Sequence, residues 1–176
     1  TVDNGSIPPG VVRLLLVPKT DEVDRPVPRE RLALPGHVRN EVQAYLDERR
    51  LIGTRLEIGP PEYVTVAAAV RIKINQFANA DSVMTEVKRR LYRFLNPVVG
   101  GPDGAGWPFG RNLFFSEVSG VIQRVAGIEY IGEVKLYIVD PKTGERQDAG
   151  SRITIPPNGL ICSAEHQVTA IADGQS

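Results

Sequence analysis

Along this chain the apolar positions switch between two spacings, and the switches mark the elements. From Val11 to Val17 the run is apolar apart from Arg13 and is closed by Pro18, which predicts a buried strand. The stretch KTDEVDRPVPRE that follows is charged and broken by proline, so it reads as a surface loop. After Pro35-Gly36 the period changes: Val38, Val42, Tyr45 and Leu46 fall at offsets 0, 4, 7 and 8, with Asn40, Glu41, Asp47 and Glu48 opposite. That is one face of a helix, which Gly53 can end. A short extended piece, TRLEIG, then leads to Pro60-Pro61.

From Tyr63 to Ile74 the chain is rich in alanine and β-branched residues, and Val70, Ile72 and Ile74 alternate with Arg71 and Lys73. This predicts a long strand with one wet face. Asp81 offers an N-cap to a second helix with Val83, Val87, Leu91, Phe94 and Leu95 on one side, stopped by Asn96-Pro97. A third helix, capped by Ser116, carries Val118, Val121, Ile122 and Val125, and Gly127 ends it. Val134, Leu136 and Ile138 then alternate in a strand closed by DPKTGE, Ile153 and Ile155 give a short one, and a last strand is placed near Val168 to Ile171.

This order predicts an α+β fold: two small units of mainly antiparallel sheet with helices packed on one face. The soft boundary at Pro60-Pro61 gives a first unit over 1–60, comprising strand, loop, helix and short strand. The second unit spans 61–176 and includes a Gly/Pro/aromatic loop at 96–115. No internal repeat at a fixed period is evident.

Totals narrow the function. A chain of 176 residues is long enough for a self-supporting core, since proteins near this size bury roughly 70% of their unfolded surface. With 21 basic and 21 acidic side chains the net charge is zero, so no global field would gather phosphates, and neither nucleic acid nor an anionic membrane is expected as a partner. The single cysteine, Cys162, cannot form an internal disulfide, which suits a reducing compartment. The longest clean apolar run, Leu14 to Val17, is far short of the ~20 residues a membrane helix needs, so no membrane insertion is expected. The chain begins at Thr1 without Met or a cationic leader, and a piece of a longer protein is the expectation.

Residues that could carry chemistry do not assemble into a known constellation. Gly101 to Gly106 has the glycine spacing of a phosphate loop, but Trp107-Pro108 stand where Lys and Ser should be, and a helix instead of a strand precedes it. The dinucleotide pattern fails at Phe109 for the same reason. Cys162, His166 and a distant His37 make an incomplete zinc set, so a buried thiol and a surface histidine are expected in place of a metal site. No G-x-S-x-G elbow or S-x-x-K pair is present, and Asp21-Glu22 and Asp47-Glu48 are adjacent pairs in charged stretches that do not face each other. The basic run KRRLYR, Lys88 to Arg93, could suggest a phosphate contact, but it reads better as the wet face of the second helix, since Leu91 and Phe94 interrupt it at core spacing. We therefore expect no enzyme activity, no cofactor and no metal.

What stands out is the segment NPVVGGPDGAGWPFGRNLFFSEV, Asn96 to Val118, which holds five glycines, three prolines, three of the five phenylalanines and the only tryptophan. Glycines supply positive φ and prolines fix theirs, so the loop should have a defined shape. Its aromatics either fold back as a lid over the helices, most of all Phe114, or stand out as anchors for a partner. Trp107, Phe109, Arg111 and Phe115 are the candidates to shape or make an interface.

Two stretches, YLDERRLIGTRLEIGPPEYVTVAAAVRIK and VKRRLYRFLNPVVGGPDGAGWPFGRNLFFSEVSGVIQRVAGIEYI, resemble the C-terminal portion of the J-like baseplate wedge proteins of contractile phage tails and extracellular contractile injection systems. The resemblance covers roughly residues 35 to 140 and is most specific around GGPDGAGWPFGR. It implies a structural protein of a sixfold baseplate ring that links the hub and spike to the sheath. The partners it implies are copies or paralogues of the wedge protein, the sheath initiator and hub or spike proteins. It also implies assembly in the cytoplasm, followed by residence in a phage tail-like particle. The competing reading is a small-ligand-binding α+β regulatory module, which would need a concave apolar pocket beside the glycine loop.

Overall fold

The structure, a computed structural model, describes residues 7–172. The fold class is α+β, as expected. The centre is strand β3 (Glu62–Ile74), thirteen residues long. On one side it pairs antiparallel with β5 (Ile128–Val139), which in turn pairs antiparallel with β6 (Arg146–Asp148). On the other side β3 is met in parallel by two successive short strands, β8 (Gly159–Ser163) along its first half and β9 (Gln167–Ala170) along its second.

Helices α3 (Ala80–Phe94) and α4 (Phe115–Gln123) lie on this sheet. Their apolar stripes, Val83, Val87 and Leu91 on α3 and Val118 and Ile122 on α4, share one core with Val66, Ala68, Val70 and Ile72 of β3 and with Leu136 of β5. Each such side chain, fully buried, contributes about 1.5–3 kcal/mol relative to exposure. Beside α4 and β5 a two-stranded antiparallel pair, β4 (Leu113–Phe114) and β7 (Arg152–Ile153), drops Leu113 and Ile153 into the same core.

The N-terminal part is thinner. Strand β1 (Val11–Leu15) and β2 (Arg55–Gly59) form a separate two-stranded parallel sheet, joined through the single turn α1 (Arg29–Leu32) and helix α2 (Gly36–Asp47). Strand β1 is not the buried strand its apolar run predicts: no residue in it is fully buried, because nothing covers the sheet fully. Helix α2 packs on β2 yet has no fully buried residue either. It ends at Asp47, before Gly53, which instead turns the chain into β2 with a φ of 89°. By contrast Val27 and Leu32, from the charged connection, are buried against Tyr63 and Cys162 at the start of the main sheet.

Local punctuation differs from expectation at three places. The N-cap of α3 is Asn79, whose side chain accepts from Ser82 N at 2.9 Å, while Asp81 stands in the first turn, where its charge favours the helix N-terminus. Helix α4 starts at Phe115, one residue before Ser116, and its first turn is held by Glu117, which accepts the Phe114 N–H at 3.1 Å. Strands β4, β6 and β8 have no counterpart among the expected elements, and Ile155 lies outside β7.

Candidate interaction site

The aromatic loop owes its shape to backbone contacts. Phe94, the last residue of α3, gives its carbonyl to Gly101 N at 2.8 Å, Gly100 N donates to Asn96 O at 3.0 Å, and Gly106 N donates back to Gly100 O at 2.9 Å. Chain packing here leaves no room for a side chain: a Cβ on Gly100 would sit 2.3 Å from Phe94 O and 2.5 Å from Asn96 O. Gly101, Gly104 and Gly106 all take positive φ, which other residues rarely adopt.

Asn96 ties the turn to the rest of the molecule. Its buried side chain accepts from Val98 N at 2.8 Å and Val99 N at 3.1 Å, and its amide donates to Glu22 O at 2.8 Å. Farther along, Gly110 N donates to Gly159 O at 3.0 Å, pinning the loop's second half to the start of β8. The segment is a defined shape, as its composition suggests.

The four candidate residues divide into two kinds. Trp107 is 3% exposed, and its Nε1–H donates to Arg111 O at 2.9 Å, so its polar atom is satisfied inside the core. Its ring meets Phe94 edge to face, with centroids 5.5 Å apart. Above it lies the Arg111 guanidinium, 5.1 Å from the ring centroid, whose other partner is Glu117 at 2.6 Å. Trp107 and Arg111 thus join the loop to the first turn of α4.

Phe109 and Phe115 point the other way, 45% and 39% exposed. Phe114, the residue most expected to fold back, is exposed as well, because its neighbour Leu113 takes the inward position of the β4–β7 pair. A strand alternates its sides, so only one of the two can be buried.

The residues weighed for zinc are apart in role. Cys162 is buried on β8, 3.5 Å from the Thr65 hydroxyl, and burial raises its thiol pKa. His166 is fully buried, not at the surface. It lies between β8 and β9, where β3 would otherwise have an unpaired amide: its Nδ1 accepts from Ala68 N at 3.0 Å. Burial, with Arg146 and Lys88 nearby, pushes its pKa down to about 3, so the ring is neutral. Tyr92 stacks on it at 4.7 Å. No group of three or more His, Cys, Asp or Glu side chains that could hold a metal occurs among the described residues. Nor is any helix of the described residues long and apolar enough to cross a membrane.

Two features lie beyond what the sequence pattern reveals. One is the gap-filling role of His166, for which no local pattern exists. The other is a concavity beside the glycine turn, lined by arginines from both helices. The KRRLYR run hints at it, but only the fold brings Arg124 alongside.

No family model and no curated protein matches the sequence. Among solved structures, a chain in the cryo-EM structure of the anti-feeding prophage baseplate, sixfold symmetrised, is similar in fold, with a TM-score of 0.53 at 9% identity. The match covers 76% of this chain and 26% of that one, so this chain spans about a quarter of the baseplate chain's length and shares the fold of that part.

Proposed function

We propose that this chain is a structural component of the baseplate of a contractile tail or injection particle. It would make protein–protein contacts in a wedge ring that joins hub and spike to sheath. The observation that carries this reading is the fold likeness to a chain of the anti-feeding prophage baseplate. The finer reading, a wedge subunit, is supported by the J-like resemblance of the loop and its flanks, which rests on the sequence and not on that fold likeness. On this reading the chain assembles with other baseplate subunits, its own copies or paralogues, the sheath initiator and hub or spike proteins, in the cytoplasm before residence in the particle. It performs no catalysis.

The shape of the molecule supports such a role. Leu51 and Ile52 at the tip between α2 and β2 are exposed, as are Tyr45, Val12, Phe109 and Phe115. Side chains of this kind gain about 25 cal/mol per Å² when a neighbour covers them. Contacts in a closed ring need not be strong singly, because each reinforces the next. We take Phe109 and Phe115 as interface residues and Trp107 and Arg111 as the pair that shapes the loop for them.

Affinity capture of the tagged chain from its own source, with mass spectrometry of what accompanies it, tests the reading. Sheath, spike and other baseplate subunits are expected with the wild-type chain. Phe109→Ala/Phe115→Ala should lose them while melting as the wild type does, because exposed substitutions change stability by only about 0.5 kcal/mol. Trp107→Ala should instead lower stability by about 4 kcal/mol. Recovery of the wild-type chain alone as a monomer would contradict the proposal.

A further inference from the structure

The concavity beside the glycine turn has a volume of about 390 Å³ and draws on three elements. Arg89, Arg90 and Arg93 come from the last turns of α3, Arg124 caps the C-terminus of α4, and Gly100, Gly101 and Gly104 close the far wall. Phe94, Val99 and Val121 supply apolar surface between them, each partly buried.

Charge in this groove is not balanced from within. Glu86 accepts from both Arg89 and Arg90 at 2.7 Å, and these two guanidiniums hold its pKa at about 2. Asp24 approaches Arg89 at 3.8 Å, and Arg90 also donates to Arg124 O at 3.1 Å. Arg93 and Arg124 have no carboxylate partner for their side chains among the described residues. Helix C-termini favour nearby cations through the macrodipole, here Arg93 in the last turn of α3 and Arg124 at the C-cap of α4. That accounts for an arginine at each end, but not for four converging on one groove in a chain of zero net charge.

We infer that this groove is the docking site for an acidic segment of a partner protein, with carboxylates flanking an apolar side chain. The inference rests on the assembly reading above and names one of its contact surfaces. Guanidinium groups bind carboxylates in bidentate fashion, and the pairing strengthens where apolar walls exclude water. A peptide of alternating acidic and apolar character covers both the arginines and Phe94, Val99 and Val121. A free phosphate would meet the arginines and leave that apolar surface open. Nucleic acid lacks the wider field it would need, since the surrounding molecule is neutral.

The test uses the full chain and a peptide with fluorescein on its N-terminus in place of an acetyl group, fluoresceinyl-Glu-Asp-Leu-Glu-Asp-amide, followed by anisotropy at low salt. Saturable binding is expected, falling as salt rises. Arg93→Glu/Arg124→Glu should weaken it at least about tenfold. The control Arg39→Glu/Arg55→Glu changes the net charge equally outside the groove and should bind within about threefold of wild type, the scale of a screened long-range effect. Absence of saturable binding, or equal binding by the groove variant, would overturn the inference. So would tighter binding at the same arginines by inorganic phosphate or by a single-stranded oligonucleotide of matching charge. The peptide measurement involves no particle, so its failure would leave the outcome of the capture experiment, and with it the baseplate reading, untouched.

Discussion

His166 shows how a single side chain can substitute for backbone. Between β8 and β9 the parallel ladder on β3 is interrupted, and the imidazole accepts the Ala68 N–H that a strand would otherwise take. Only the neutral ring can do so, because protonation removes the acceptor. Its pKa is lowered on folding from 6.5 to about 3, chiefly by burial. In that window the unfolded chain binds the extra proton, so stability is complete above the unfolded value and declines as pH falls towards the folded one. The decline should already be visible above pH 4.5, the ordinary Glu86 value, before that carboxylate contributes its own acid loss. Urea unfolding of wild type and His166→Gln across pH 7 to 4.5 checks this. The wild type should lose stability over the range, and the variant, though less stable at neutral pH, should show a flatter profile.

At the scale of elements, α4 depends on a side chain from its own first turn. Glu117 accepts the Phe114 N–H and also holds Arg111, which lies over Trp107. Glu117→Ala should therefore cost about 1–2 kcal/mol, as loss of a helix cap does. Amide exchange should quicken first at the start of α4, and uniform protection there would contradict the assignment. The helices were legible in sequence because Val83, Val87 and Leu91, or Val118 and Ile122, recur at helical spacing whatever they pack against. Strand β8 was not, since GLICS is a five-residue run buried throughout and so has no alternation to detect. Its parallel pairing joins residues about a hundred positions apart, such as Thr65 and Cys162, and no local pattern encodes that. The aromatic loop was readable as a rigid shape from its glycines and prolines. That Phe114 turns outward was not, because that depends on Leu113 meeting Ile153 across the β4–β7 pair.

For the whole molecule, we propose that 1–60 and 61–176 act as two units with a shared contact region, where Val27 and Leu32 pack on Tyr63 and Cys162. The larger unit has a full core. The smaller one, with a two-stranded sheet only partly covered and a helix without a fully buried residue, is poor in core of its own. Two-stranded sheets are marginal by themselves. A neighbour in an assembly would supply the missing cover, and the exposed Leu51, Ile52, Phe109 and Phe115 are the side chains it would meet. The most direct test is cryo-EM of baseplates isolated from the source of this chain. Density for the β3–β5 sheet and the glycine turn is expected to repeat around the sixfold ring, with Phe109 and Phe115 covered by an adjacent subunit. Baseplates complete without any density for this chain would contradict it.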